Sequence, residues 1–220
     1  RGRTHDQEGP ENAPQARLHN RLRWSGNRYS LCRTKRERNF DVSGYCDIAP
    51  GHEWHGPYHD TEYGFPTDDE SALFERLILE INQAGLSWLT ILRKREGFVA
   101  AFEGFDVETV AGYGEKDRAR LLADASIIRN RLKVDATIHN ANCILEMRES
   151  HGGFAGWLKA HHPLTKDEWV KLFKKTFKFT GGEITGEFLM STGYLPGAHG
   201  EACPVFGRIA TAGPAWMRKS

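Results

Sequence analysis

The sequence predicts an all-α domain behind a basic arm, and three observations predict it. Apolar residues recur three and four apart in one segment after another between Asp68 and Thr192. Strand signals are nearly absent: Phe177-Lys178-Phe179-Thr180 alternates, but it is short and isolated. Residues 1–40 hold ten Lys/Arg against four Asp/Glu, few apolar residues and no sustained period, which reads as a disordered segment. A chain of 220 residues with net charge +1 can bury a sizeable core without a disulfide scaffold. Its apolar runs, such as Leu77-Ile78-Leu79, fall far short of the roughly 20 residues a bilayer span needs, so no membrane association is expected. Cys32, Cys46, Cys143 and Cys203 lack the close, regular spacing of a disulfide framework, and a reducing cytoplasm is the expected setting. The expected division is an arm over 1–43, a folded domain over 44–205 and a C-terminal tail over 206–220.

The clearest helix runs from Asp68 to Ala84. Thr67-Asp68-Asp69-Glu70 has the form of a capping box, Leu73, Phe74, Leu77, Ile78 and Ile81 share a helical stripe, and Gly85 supplies the stop. The next, Trp88 to Phe102, turns Leu89, Leu92, Phe98 and Phe102 inward and leaves Lys94 and Arg95 outside. Further helical patterns cover 107–111, 117–124, 128–149, 154–160, 167–177 and 186–192.

Glu80 breaks the pattern of the first helix. It lies three residues after Leu77 and seven after Leu73, on their stripe. A carboxylate on an apolar face costs several kcal/mol unless it finds a partner. It is therefore either an edge residue bonded to a backbone N–H or a buried acid facing a ligand pocket.

Cys46 and His59 are separated by twelve intervening residues near the start of the domain, and His199 and Cys203 by three near its end. A Cys2His2 set fills all four positions of a tetrahedral ion and suits structural Zn2+, which would clasp the two ends of the domain. By spacing alone, simple packing or surface placement of these residues remains open. The basic arm likewise reads as a solvated tail or as a phosphate contact.

Five segments, in order, resemble the DNA-3-methyladenine glycosylase I family: Tyr58-His59-Asp60-Thr61-Glu62-Tyr63-Gly64, Glu80-Ile81-Asn82-Gln83-Ala84-Gly85-Leu86-Ser87-Trp88, Ile127-Ile128-Arg129-Asn130-Arg131, Phe177-Lys178-Phe179-Thr180-Gly181 and His199-x-x-x-Cys203. The resemblance covers about Cys46 to Cys203. It implies a helix-hairpin-helix fold, excision of N3-methylated adenine from double-stranded DNA, and a structural zinc held by Cys46, His59, His199 and Cys203. It also implies that Glu80 contacts the base, as the catalytic and base-binding acid, and that Tyr58, Trp88 and Tyr63 form the aromatic wall. The hairpin falls at 123–128, where backbone N–H groups hold phosphates without reading sequence. Ser126 stands there where the family often has Gly, and a positive φ at that position would strain it. Arg129, Arg131 and Lys133 add charge beside the hairpin. Leu86, in the turn after the first helix, is placed to fill the gap left by a flipped nucleotide. Ile48 and Tyr63 depart from the family's usual aromatic and Trp.

The chemistry follows from the substrate that the resemblance implies. A methyl on N3 makes the base cationic while it is still on the sugar, which weakens the N-glycosidic bond. The protein must flip the nucleotide out and hold a cation, and aromatic faces and a carboxylate do that. The expected activity is a monofunctional glycosylase that acts as a monomer and leaves an abasic site. A zinc-stapled, non-catalytic binder of damaged duplex is the alternative. No G-x-G-x-x-G or P-loop points to a nucleotide cofactor.

Overall fold

A computed structural model of the protein describes residues 42–218. The basic arm lies outside the described residues, apart from its last two positions. Eleven α-helices fill the described region: α1 (Val42–Ile48), α2 (His55–Thr61), α3 (Glu70–Gln83), α4 (Trp88–Ala101), α5 (Val107–Ala111), α6 (Glu115–Ala123), α7 (Arg131–His151), α8 (Phe154–His161), α9 (Lys166–Thr176), α10 (Gly182–Ser191) and α11 (Phe206–Ala212). Two short 3-10 turns, Glu103–Phe105 and Ala215–Met217, complete it, and there is no strand among the described residues.

Local chemistry sets the helix starts. Asp69, rather than Thr67, caps α3 by accepting the Ala72 N–H at 2.7 Å, while Thr67 Oγ1 accepts the Asp69 N–H. The expected capping box is therefore shifted. Asp69, next to the helix, reaches an orphan N–H that Thr67 is two residues too early to serve. Ser87 caps α4 and Asn130 caps α7 in the same way. Asn130 moves the start of α7 to Arg131, three residues later than the periodicity suggests.

Helix α3 is the central element. Its first turn shows one apolar face, but every residue from Arg76 to Asn82 is buried. A helix covered on all sides needs neighbours all round, and α4, α7, α8 and α10 pack against it. Rings fill the adjoining core: Phe154 stacks on Phe188 at 5.6 Å, and Phe98, Phe102 and Phe105 form a second stack. Two glycines permit close approaches. A Cβ on Gly97 of α4 would lie 2.7 Å from Ser126, so the loop between α6 and α7 rests directly on that helix. Gly64, at φ +85°, lets the chain after α2 reach the C-terminal loop, since a Cβ there would lie 2.8 Å from Ala198.

The one weak strand signal of the sequence, residues 177–180, forms no strand, in keeping with the all-α reading. Phe179 takes φ +65°, and the Asn140 side chain clamps Lys178 by accepting its N–H and donating to its carbonyl. Residues 206–217 do not trail as a tail, because α11 buries Ile209 against Val205 and Cys203. Helices α1 and α2 form without a readable apolar stripe, held by packing around the site described next.

Candidate functional site

Helix α3 carries Glu80 into the protein at 5% exposure. It is not an edge residue. Among the described residues no group donates a hydrogen bond to its carboxylate. Burial pushes the carboxyl well above the ordinary carboxylate range, the like charge of Glu187 adds to the rise, and Arg76 opposes it. Arg76 itself is committed elsewhere: its guanidinium donates to the Ser191 carbonyl and lies 3.8 Å from Glu62.

Aromatic rings surround the acid. Tyr58 and Trp88 meet at 5.1 Å between centroids, Tyr58 and Tyr63 at 5.7 Å, and Tyr45 and Tyr63 edge-to-face at 5.4 Å. The Glu80 charge acts on all three tyrosine hydroxyls, raising each alongside the dominant effect of burial. The elements that supply these rings are distinct: α1 for Tyr45, α2 for Tyr58, the following loop for Tyr63, and the first residue of α4 for Trp88. Tyr45 was not expected. Ile48, where an aromatic is usual, is 51% exposed, whereas Tyr45 on the same helix turns inward. Glu187 was also not expected. It sits on α10, and its Oε2 accepts the Tyr63 hydroxyl at 3.1 Å. Its position among the α10 apolar residues was the available signal.

Behind this wall lie the sulfurs and imidazoles. The ligand atoms of Cys46, His59, His199 and Cys203 all fall within 4.8 Å of one another, close enough to hold a metal ion. His199 Nδ1 lies 3.3 Å from Cys203 Sγ and 3.6 Å from Cys46 Sγ, and His59 Nε2 lies 3.6 Å from Cys203 Sγ. Each imidazole is oriented from its other nitrogen. His59 Nδ1 meets Asp60 Oδ1 at 2.6 Å, and His199 Nε2 meets the Tyr63 carbonyl at 2.8 Å. The cluster and the wall share backbone: Tyr45 precedes Cys46, Tyr58 precedes His59, and Tyr63 contacts His199.

The remaining site residues lie on a surface beyond Trp88. Leu86 is exposed at 40% in the turn between α3 and α4, beside Gly85 at φ +85°. Ser126 is exposed, with its N–H and hydroxyl both donating to Asp124 Oδ1, and it is not among the residues of positive φ. The strain anticipated there does not arise. Arg129 and Arg131 are exposed, Arg131 within 3.8 Å of Asp135. Lys133 differs from the expectation. It is buried, and its ammonium donates to the carbonyls of Asn82 at 2.8 Å and Ala84 at 2.9 Å. A cation committed to the last carbonyls of α3 holds the Leu86 turn and is not a free phosphate contact. Arg95, expected on the solvent face of α4, forms paired bonds with both Glu62 and Glu75, fixing the segment after α2 to α3.

Comparison with known proteins follows the same segments. A profile of the methyladenine glycosylase family matches residues 50–171. The chain is 39% identical over 157 residues to DNA-3-methyladenine glycosylase 1 of Escherichia coli (strain K12), covering 63% of this chain and 84% of that protein. It is 34% identical over 166 residues to the DNA-3-methyladenine glycosylase of Haemophilus influenzae, covering 67% and 89%. A solved structure of 3-methyladenine DNA glycosylase I from Staphylococcus aureus, described for its 3-methyladenine recognition, superposes with TM-score 0.66 at 30% identity. That superposition covers 74% of this chain and 97% of the other. The family match contains Tyr58, Glu80 and Trp88 and spans more than half of the chain, and the chain belongs to the methyladenine glycosylase family.

Proposed function

We propose that this protein is a monofunctional DNA glycosylase that hydrolyses the N-glycosidic bond of 3-methyladenine in alkylated double-stranded DNA. The observation that carries the reading is the Glu80 carboxylate, buried without a hydrogen-bond donor and acting on Tyr45, Tyr58 and Tyr63, which pack with Trp88 into one aromatic cluster. An acid held this way is costly to the fold, and a cation entering the cluster offsets that cost.

The residues divide the work. Leu86 enters the stack on the exposed turn and fills the space vacated by the flipped nucleotide. Backbone N–H groups between α6 and α7 hold a phosphate, with Arg129 and Arg131 adding charge, in a helix-hairpin-helix arrangement. Tyr45, Tyr58, Tyr63 and Trp88 present π faces to the methylated base, each face worth about 0.5–2 kcal/mol toward a cation and more when water is excluded. Glu80 supplies the opposite charge and accepts hydrogen bonds from the base edge. The bond that breaks is already weakened by the charge on the base. Glu80 therefore acts by electrostatic attraction and orientation, and the leaving base departs neutral. Unmethylated adenine brings no charge, leaves Glu80 uncompensated, and is rejected.

Zinc suits the Cys46, His59, His199, Cys203 cluster. Tetrahedral ligands at zinc's ordinary bond lengths place N and S about 3.6 Å apart, and the contacts found here span 3.3–3.6 Å. His59 Nδ1–H donates to Asp60 and His199 Nε2–H to the Tyr63 carbonyl, which leaves the opposite ring nitrogens free to bind. The four protein ligands fill the ion's coordination, so its part is structural, joining α1 and α2 to the C-terminal loop. Free thiols and a DNA substrate fit a reducing, DNA-containing compartment and a monomer working on one lesion at a time. The domain spans about 44–217 in this reading, with the 1–43 arm free to add sequence-independent attraction to DNA.

The test is incubation with methylated duplex and identification of released bases by mass. Release of 3-methyladenine supports the reading. Binding to the duplex without release over hours would replace it with a non-catalytic damage-recognition role.

A further inference from the structure

Glu187 is the acid that the proposed chemistry leaves unused. It lies on α10, which packs against α3, and the Ser191 carbonyl at the end of α10 accepts both from Arg76 of α3 and from the Gly64 N–H. Those two bonds pin α10 to the helix that carries Glu80 and to the loop that carries Tyr63. Tyr63 then faces both acids. Its hydroxyl donates to Glu187 at 3.1 Å, and both carboxylates raise the cost of ionising it.

We infer that Glu187 is a second carboxylate of the base pocket, a positioning residue oriented by Tyr63 and coupled to Glu80, and that the two acids meet the alkylated purine as one unit. This rests on the proposed reading of the site. Two carboxylates in a desolvated space cannot both ionise cheaply, so one proton drawn from solvent is shared between them. Burial raises both, and Glu187 raises Glu80 further as a like charge. The other groups facing the pair are few. Arg76 of α3 opposes the rise at Glu80, and Lys166 of α9 opposes it at Glu187. Glu183 of α10 adds to it at Glu187, whereas the Tyr63 bond counteracts it. Tyr45 of α1 and Tyr58 of α2 remain neutral, and Trp88 of α4 carries no charge. The unit thus holds one proton and a single negative charge when empty and gives up that proton most readily when a cation enters, and the shared proton sets the pH at which it is ready.

Two measurements on the intact protein decide this. The first is the acid limb of kcat/KM for release of 3-methyladenine from methylated duplex. Glu187→Gln keeps an acceptor for Tyr63 and removes the charge, and it should move that limb to lower pH by about half a unit or more. Glu187→Asp, which keeps the charge, should leave the limb above that of the Gln variant. A folded Glu187→Gln protein whose limb overlies the parent's, or moves to higher pH, overturns the inference while leaving the glycosylase reading intact. The second is thermal stability against pH, which needs no activity. The parent should lose stability as pH rises through the range where the buried pair gives up its proton, and Glu187→Gln should complete that loss at lower pH. Unchanged stability profiles overturn the coupling even where the parent releases no base, an outcome that would separately remove the proposed function.

Discussion

In the proposed reading the Glu80 carboxylate meets the base, and its burial has a measurable cost. Glu80 has its protonation raised in the fold, so the folded state binds more protons than the unfolded chain above about pH 4.3. Stability from this group is complete below that pH and is lost as pH rises toward the folded value. Glu80→Gln should therefore match the parent near pH 4.5 and be more stable at neutral pH, by about 1–3 kcal/mol, in thermal unfolding across pH. The same substitution should cut excision at least about a hundredfold while leaving non-specific duplex binding nearly unchanged. Equal loss of excision and binding, with lowered stability, would assign Glu80 to folding instead. The pairing of higher stability with lost activity is what a group held for chemistry rather than for the fold produces.

At the scale of the element, the α3–α4 connection shows how a surface turn is made rigid. The last carbonyls of α3 are satisfied by a lysine arriving from α7, the turn passes through Gly85, and Ser87 starts the next helix. Leu86 is left exposed at the tip of a turn fixed from three sides. Lys133→Met should keep the stem's packing but remove two charge-assisted bonds. A loss of about 1.5–3 kcal/mol in denaturant unfolding is expected, together with weaker binding to duplex containing an abasic site as Leu86 loses its fixed position. If Lys133 touched phosphate instead, the variant would keep its stability and show a shallower salt dependence of binding. Leu86→Ala should reduce excision of the paired lesion more than release from single-stranded DNA, where there is no stack to fill.

Across the whole molecule, the metal cluster and the aromatic wall are one assembly. Three of the wall's rings come from residues that adjoin or touch the Cys46, His59, His199 and Cys203 cluster, so a metal bound there would also set the pocket's outline. Long-loop closure by a metal removes chain entropy from the unfolded state, and metal affinity is then folding free energy. Purified protein should carry one zinc per chain. Thiol modification should release it and lower the melting temperature, with excision falling along with it. Asp60→Asn, which weakens the hydrogen bond behind His59, should lower zinc affinity about 10–100-fold. Metal analysis that finds no zinc in freshly purified protein would remove the clasp.

The sequence alone determined the helical class, the extent of most helices from α3 to α10 and the misfit of Glu80 on its stripe. These features are written locally. Periodicity, caps and a charged residue on an apolar face need no knowledge of what packs where. Only the tertiary structure decided the rest. Tyr45 joined the aromatic wall because α1 packs against Tyr58 and Tyr63, Glu187 reached the Tyr63 hydroxyl from α10, which packs on α3, and Lys133 left the surface because α7 crosses the end of α3. Residues 206–217 became ordered because Ile209 found Val205 and Cys203. Each of these depends on a neighbour far away in the chain. A side chain's own surroundings in sequence fix its helix and its face, whereas its charge state and its partner are fixed by whatever the fold brings against it.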